Sequence, residues 1–110
     1  MTNKIQDNDS GPCPVEMAVG LIGGKWKPTI LFHLSKGSQR YSELQRLIPN
    51  ASDRMLTRSL RELEECELVL RTVFAEVPAR VEYSLLPDAE TLVPILESIS
   101  NWGKNRTRSV

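Results

Sequence analysis

Cysteine and histidine are scarce: the 110 residues hold two cysteines, Cys13 and Cys66, and one histidine, His33. Their spacing fits no zinc pattern, and two thiols are too few for a disulfide framework. Such usage fits reduced thiols in a cytoplasm, which is the expected location. Long apolar runs are also missing: none approaches the roughly 18 residues of a membrane span. The start MTNKIQDNDSG lacks the apolar centre of a signal peptide, so no membrane association is expected. Charge of one sign is not in excess either. Lys and Arg number 14 against 14 Asp and Glu, so no overall basic field draws the chain to nucleic acid, and any DNA-binding face must be a local patch. Paired carboxylates, a nucleophile held by a base and a phosphate-cradling glycine loop are all absent as coherent sets. The sequence therefore predicts no enzyme, no cofactor and no bound metal.

What is present is an ordered run of elements. A chain of 110 residues supports one compact core rather than two. Residues 1–11 read as a polar, flexible arm, 12–106 as the folded domain and 107–110 as a tail. Val15, Ala18, Val19 and Ile22 recur at helical spacing, with Met17 and Leu21 as a second apolar row, so this first helix has more than one sheltered face. Gly23 and Gly24 end it, and Pro28 suits the first turn of a second helix lined by Trp26, Ile30 and Leu34.

Arg40 and Tyr41 read as a short strand. Ser42 and Gln45 then form an S-x-x-Q capping pattern for a helix from Glu43 to Ile48. After the turn Pro49, Asn50 and Ala51, Ser52 is a natural N-cap for a longer helix whose Leu56, Leu60 and Leu63 must face inward. Two helices joined this tightly suggest a helix-turn-helix. Leu68 to Ala75 and Arg80 to Leu86 are β-prone runs around a hairpin tip, Glu76 to Ala79. A last helical stretch, about Asp88 to Arg106, carries the stripe Leu92, Ile95, Leu96, Ile99 and Trp102, and Pro94 should kink it or mark its true beginning. The order is α+β, mainly α: a winged helix-turn-helix with a C-terminal dimerisation helix.

Opposite the leucines, Arg54, Thr57, Arg58 and Arg61 stand at i, i+3, i+4 and i+7 and so share one ridge. Asp53 with three arginines gives plus two over residues 53–61, while Glu62, Glu64, Glu65 and Glu67 give minus four just after. A recognition helix inserts its N-terminal end into the major groove, where arginine forks onto guanine, and this polarity suits that role. An ordinary solvated face is the bland alternative. At the hairpin tip Arg80 has the reach of a wing contact to phosphates or a narrow minor groove.

Cys13, between Pro12 and Pro14, falls at the N-cap of the first helix, a place that favours thiolates and hence oxidation or attack by electrophiles. The alternative is a small residue packing at a helix start. Cys66 follows an acidic run and is expected to be inert, and His33, between Phe32 and Leu34, reads as packed or surface histidine.

The segments CPVEMAVGLIGGKWKPTILFHL, RYSELQRLIPNASDRMLTRSLRELEE and EVPARVEYSLL closely resemble the HxlR-type regulators, relatives of the MarR-like winged-helix proteins, over about Pro12 to Gly103. The resemblance implies a homodimer built from the first and last helices, through Val15, Val19, Leu92, Ile95, Leu96, Ile99 and Trp102. It also implies binding to double-stranded DNA at a pseudo-palindromic operator, more often in repression, with Ser42, Ser52, Asp53, Arg54, Thr57, Arg58, Arg61 and Arg80 at or near the DNA. Family members that sense aldehydes, quinones, disulfide stress or hypochlorite make Cys13 the matching sensor, and an electrophile or other small molecule the inducer. Two departures stand out. Cys66 and Glu67 replace a common Asp-Gly, leaving the turn into the first long strand without its glycine. Leu86 to Ala89 replace a common Thr-x-x-Gly. Two rival readings are a winged-helix protein-interaction module without DNA binding and a small thiol-based redox enzyme using Cys13.

Overall fold

The computed structural model describes residues 11–108, without the side chain of Arg108; the arm expected over residues 1–11 falls, except for Gly11, outside the described residues, as do 109 and 110. Helix α1 runs Pro14–Ile22 and α2 Lys27–Leu34, with Pro28 in the first turn of α2. The break between them depends on Gly23, whose amide donates to the Val19 carbonyl at 2.6 Å; a Cβ there would lie 2.2 Å from the same oxygen. Only glycine fits this approach.

Strand β1, Gln39–Arg40, leads directly into α3, Tyr41–Leu47. The helix begins two residues before the expected start at Glu43, and the S-x-x-Q pattern does not cap it. Instead Arg40 is the N-cap and its amide donates to Glu43 Oε1 at 2.7 Å. Pairing of Arg40 with Glu82 in the sheet is the physical reason, because it holds Arg40 in the extended backbone that an N-cap requires. Ser42 is left exposed in the first turn.

Helix α4, Asp53–Glu65, starts as the sequence predicts: Ser52 Oγ accepts from the Met55 amide at 3.1 Å. Its end departs from the common pattern. Leu68 donates to the Leu63 carbonyl and Glu67 to that of Glu64, at 3.0 and 2.9 Å, with Glu67 at φ 61°. This is the Schellman arrangement, normally given to glycine, made here by a glutamate.

Strands β2, Val69–Phe74, and β3, Arg80–Leu85, form the hairpin, and β3 lies between β1 and β2 in an antiparallel sheet. A one-turn helix, α5 Pro87–Glu90, precedes α6, Val93–Arg108, so Pro94 falls in the first turn and marks the beginning of the long helix rather than a kink. Residues 107 and 108 extend that helix.

The core joins α2, α3, α4 and the sheet through Ile30, Leu31, Leu44, Leu56, Leu60, Leu63 and Val69, all essentially inaccessible. Each such side chain contributes about 1.5–3 kcal/mol of burial. Their combined effect is to fix α4 by one face and leave the other outward. Helix α1 contributes no buried residue to this core.

Candidate nucleic-acid interface

The leucine side of α4 is buried, so Arg54, Thr57, Arg58 and Arg61 are all exposed on the other side, where with Asp53 they line one shallow surface. Among the described residues Arg54 and Arg61 form no ion pair, which leaves their charge available to an anion. The N-terminal end of α4 is locked to α3. The Tyr41 hydroxyl lies 3.3 Å from Asp53 Oδ1 and 3.2 Å from Thr57 Oγ1, and Gln45 Nε2 donates to the same Asp53 oxygen. Asp53 therefore serves as a clamp between helices, and Ser52 is occupied as the cap.

Arg58 does not project alone. Its Nε lies 3.3 Å from Glu62 Oε2, while Lys27 Nζ, from the start of α2, lies 2.8 Å from Glu62 Oε1. Hydrogen bonds first from Lys27 and then from Arg58 hold the Glu62 carboxyl below the usual glutamate range. Lys27, Tyr41, Gln45 and Glu62 were not among the residues expected at the site. Lys27 and Glu62 are far apart in sequence, so only the fold brings them together.

The wing differs from the expectation at Arg80. Its guanidinium is taken up by Glu76, at 2.9 Å, and by Glu82, and it lies 3.8 Å from the centroid of the Phe74 ring. The Arg80 hydrogen bond draws the Glu76 carboxyl below its ordinary value, and Glu76 in turn raises Arg80 above its own. Arg80 is thus a brace at the base of the tip rather than an extended finger, because two acids and an aromatic ring stand within reach of its first strand position. At the tip, Val77 is fully exposed. Ser42 lines a groove with this tip, beside Arg40 and Tyr41.

The residues expected in a subunit interface fall into two groups. Val15 and Val19 on α1, and Ile95, Ile99 and Trp102 on α6, are each more than half exposed. Met17 and Leu21 join them at 55% and 50% exposure, so the second apolar row of α1 is open, while Ile22 at the end of the first row is half-buried against the core. Leu96, by contrast, is only 4% exposed and Leu92 is half-buried against the same core. These two face inward and anchor α6, which corrects their place in an outward stripe. Spacing explains the division: Leu92, just before α6, stands one turn from Leu96 and its carbonyl accepts from the Leu96 amide, while 95, 99 and 102 share another face of the helix.

Cys13 and Cys66 are exposed free thiols. Cys13 is the N-cap of α1, and its amide donates to Glu16 Oε1 at 3.3 Å. His33 is half-buried with its ring in a T-shaped contact with that of Phe32, and burial, followed by Lys36, lowers its pKa. Among the described residues no cluster of His, Cys, Asp and Glu could hold a metal ion, and no helix is long and apolar enough to cross a membrane.

Comparison with known proteins agrees with this architecture. The family model for HxlR-like helix-turn-helix domains matches residues 21–109. A protein of Methanothermobacter thermautotrophicus described as an uncharacterized HTH-type transcriptional regulator is 50% identical over 97 residues, covering 88% of this chain and 74% of that one. The solved structure of the redox regulator HypR in its oxidized form superposes with a TM-score of 0.82 at 44% identity, covering 84% of this chain and 96% of HypR. Diamide-treated YodB from Bacillus subtilis superposes with a TM-score of 0.71 at 34% identity, covering 86% and 94%.

Proposed function

The chain belongs to the HxlR-like helix-turn-helix family and is a transcriptional regulator rather than an enzyme; from that premise we propose that it is a sequence-specific repressor that grips a pseudo-palindromic operator as a homodimer. One observation carries this reading: the Arg54, Thr57, Arg58 and Arg61 ridge stands exposed on a helix anchored by its opposite face. The ridge starts at the helix N-terminus, the end that meets base edges when such a helix enters the major groove. Arg54 and Arg61 supply charge, and Thr57 offers its methyl group while its hydroxyl faces Tyr41. The braced wing, with Ser42 in the groove beside it, then lies against the flanking backbone.

Dimerisation is supported by α1. A nine-residue helix with no buried side chain is not stable alone in water. Its exposed Val15, Met17, Val19 and Leu21, with Ile95, Ile99 and Trp102 of α6, provide the apolar surface that a second copy would cover. Covering it places two recognition helices on one duplex, which is why a palindromic site follows. The exposed Cys13 thiol stands at the N-cap of α1, the helix that carries much of this surface, so oxidation or alkylation there would alter how the two copies meet. That makes an oxidant or electrophile the inducer. Repression rests on the family resemblance, and a cytoplasmic location follows from reduced thiols and a DNA target.

The test is a fluorescence-anisotropy titration of duplexes that the protein itself enriches from a random pool, repeated across a salt series. A regulator making several phosphate contacts weakens by orders of magnitude between about 50 and 200 mM salt. Failure to enrich any sequence, with no salt-dependent binding, would leave the protein-interaction module as the better reading.

A further inference from the structure

Glu62 sits where an acid is a liability for DNA binding. It projects from α4 one turn after Arg58, and a carboxylate close to the ridge repels phosphates. Two cations from different elements neutralise it: Lys27 on one oxygen at 2.8 Å and Arg58 on the other at 3.3 Å. The Lys27 side chain is 17% exposed and that of Arg58 73%, so the chain of charges is anchored at its inner end and open at its outer one.

An exposed pair at i, i+4 spacing is weak by itself and fluctuates. Here the carboxylate is fixed at both oxygens, and a guanidinium bound to it through Nε takes on a defined orientation. Among the described residues the Nη atoms of Arg58 have no partner. They are the end-on fork that pairs with O6 and N7 of guanine.

We propose that Lys27 and Glu62 form a positioning relay that presets the Arg58 guanidinium for a base edge, making Glu62 a specificity-determining residue that touches no DNA itself. The relay rests on the DNA-binding reading above. Ordering a long side chain before binding lowers the cost of using it, and penalises bases that present the wrong geometry. Lys27 also cancels the Glu62 charge that the phosphates would otherwise meet.

The experiment compares wild-type protein, Glu62→Gln, Arg58→Ala and the double variant. Each is titrated at fixed salt against the duplex that wild type enriches from a random pool and against a scrambled duplex of equal composition. Glu62→Gln is expected to lower the ratio of the two affinities about tenfold. It should leave binding to the scrambled duplex unchanged or tighter, since a negative charge is gone. In the Arg58→Ala background the ratio should not fall further. An unchanged ratio in Glu62→Gln, or an equal fall when Arg58 is absent, overturns the relay. Lys27→Gln keeps Glu62 but frees it, and must also lower the ratio; this variant decides the matter if circular dichroism finds Glu62→Gln unfolded. A wild-type protein that enriches no sequence and binds neither duplex overturns the DNA-binding reading, and the relay with it.

Discussion

The hydroxyl of Tyr41 lies 3.2 Å from Oγ1 of Thr57, so the first turn of α3 is tied to the exposed arginine ridge of α4. The same hydroxyl reaches the backbone and side-chain oxygens of Asp53. Tyr41→Phe removes these bonds while keeping the ring in the core margin. The expected cost is about 0.5–1.5 kcal/mol of stability, as for a hydrogen bond in partial contact with water. Affinity for the enriched duplex should fall too, because the angle between the helices is no longer fixed. Urea denaturation and anisotropy measure the two effects, and a variant equal to wild type in both would show the tie to be incidental.

Glu67 occupies the left-handed position that ends α4, at φ 61°. A side chain with a Cβ is disfavoured there by about 1–2 kcal/mol; glycine relieves this, and its greater freedom in the unfolded chain offsets part of the gain. Glu67→Gly should therefore raise stability by about 0.5–1 kcal/mol, read as a higher urea midpoint at unchanged slope. Glu67→Ala keeps the Cβ and should not gain. A glycine variant no more stable than wild type would mean that the backbone here relaxes without cost.

Most of this fold was legible because local chemistry decides it. The leucine spacing of α4, its Ser52 cap and the alternation in β3 need no distant partner to be read. The start of α3 is not legible locally, because Ser42 and Gln45 imitate a capping box. The real cap depends on Arg40 pairing with Glu82, some forty residues away. The stripe on α6 was legible as apolar but not as two faces, since burial of Leu96 depends on where α2 lies. Arg80 was legible as a basic residue near the wing tip. Its capture by Glu76 and Glu82 depends on the curl of the hairpin. The exposed ridge is legible as a ridge because it needs only the helical period and a buried opposite face.

Burial lowers the pKa of His33 from its ordinary 6.5, with Lys36 acting in the same direction. Between the folded and unfolded values the unfolded chain binds more protons, so stability rises with pH through that window. The contribution is fully present above about 6.5 and is lost as pH falls toward the folded value. His33→Gln should flatten this limb of a stability profile measured from pH 7 downward. Glu62 and Glu76, also lowered but from 4.5, lose their contributions only in more acidic solution, so the two effects separate. A profile unchanged by His33→Gln would assign the limb elsewhere.

Cys13 is exposed at the start of α1, beside the surface proposed to meet a second copy. Cys13→Ser should bind the enriched duplex as wild type does. Exposure to diamide or hypochlorite should release wild-type protein from the duplex and leave the serine variant bound. Cys66→Ser, at the far end of α4, should behave like wild type in both respects. An equally responsive Cys13→Ser would remove the sensing role, and loss of response in Cys66→Ser would transfer it.

Ile99 is 56% exposed on the outer face of α6, between Ile95 and Trp102, while Leu96 beneath it is buried. This arrangement allows the proposed subunit interface to be attacked without touching the core. An aspartate in place of Ile99 costs a monomer little, because the position is already in water. In a dimer it buries a charge among apolar side chains, which is unfavourable by several kcal/mol unless it finds a partner. Ile99→Asp should therefore sediment as a monomer at concentrations where wild type is a dimer. Its α1 should also lose protection in hydrogen exchange, since that helix has no core of its own. Binding to the enriched duplex should fall by far more than one contact, because a monomer holds a single half-site. A dimeric Ile99→Asp that still protects α1 would move the interface off this face of α6, and the palindromic operator would then require another geometry.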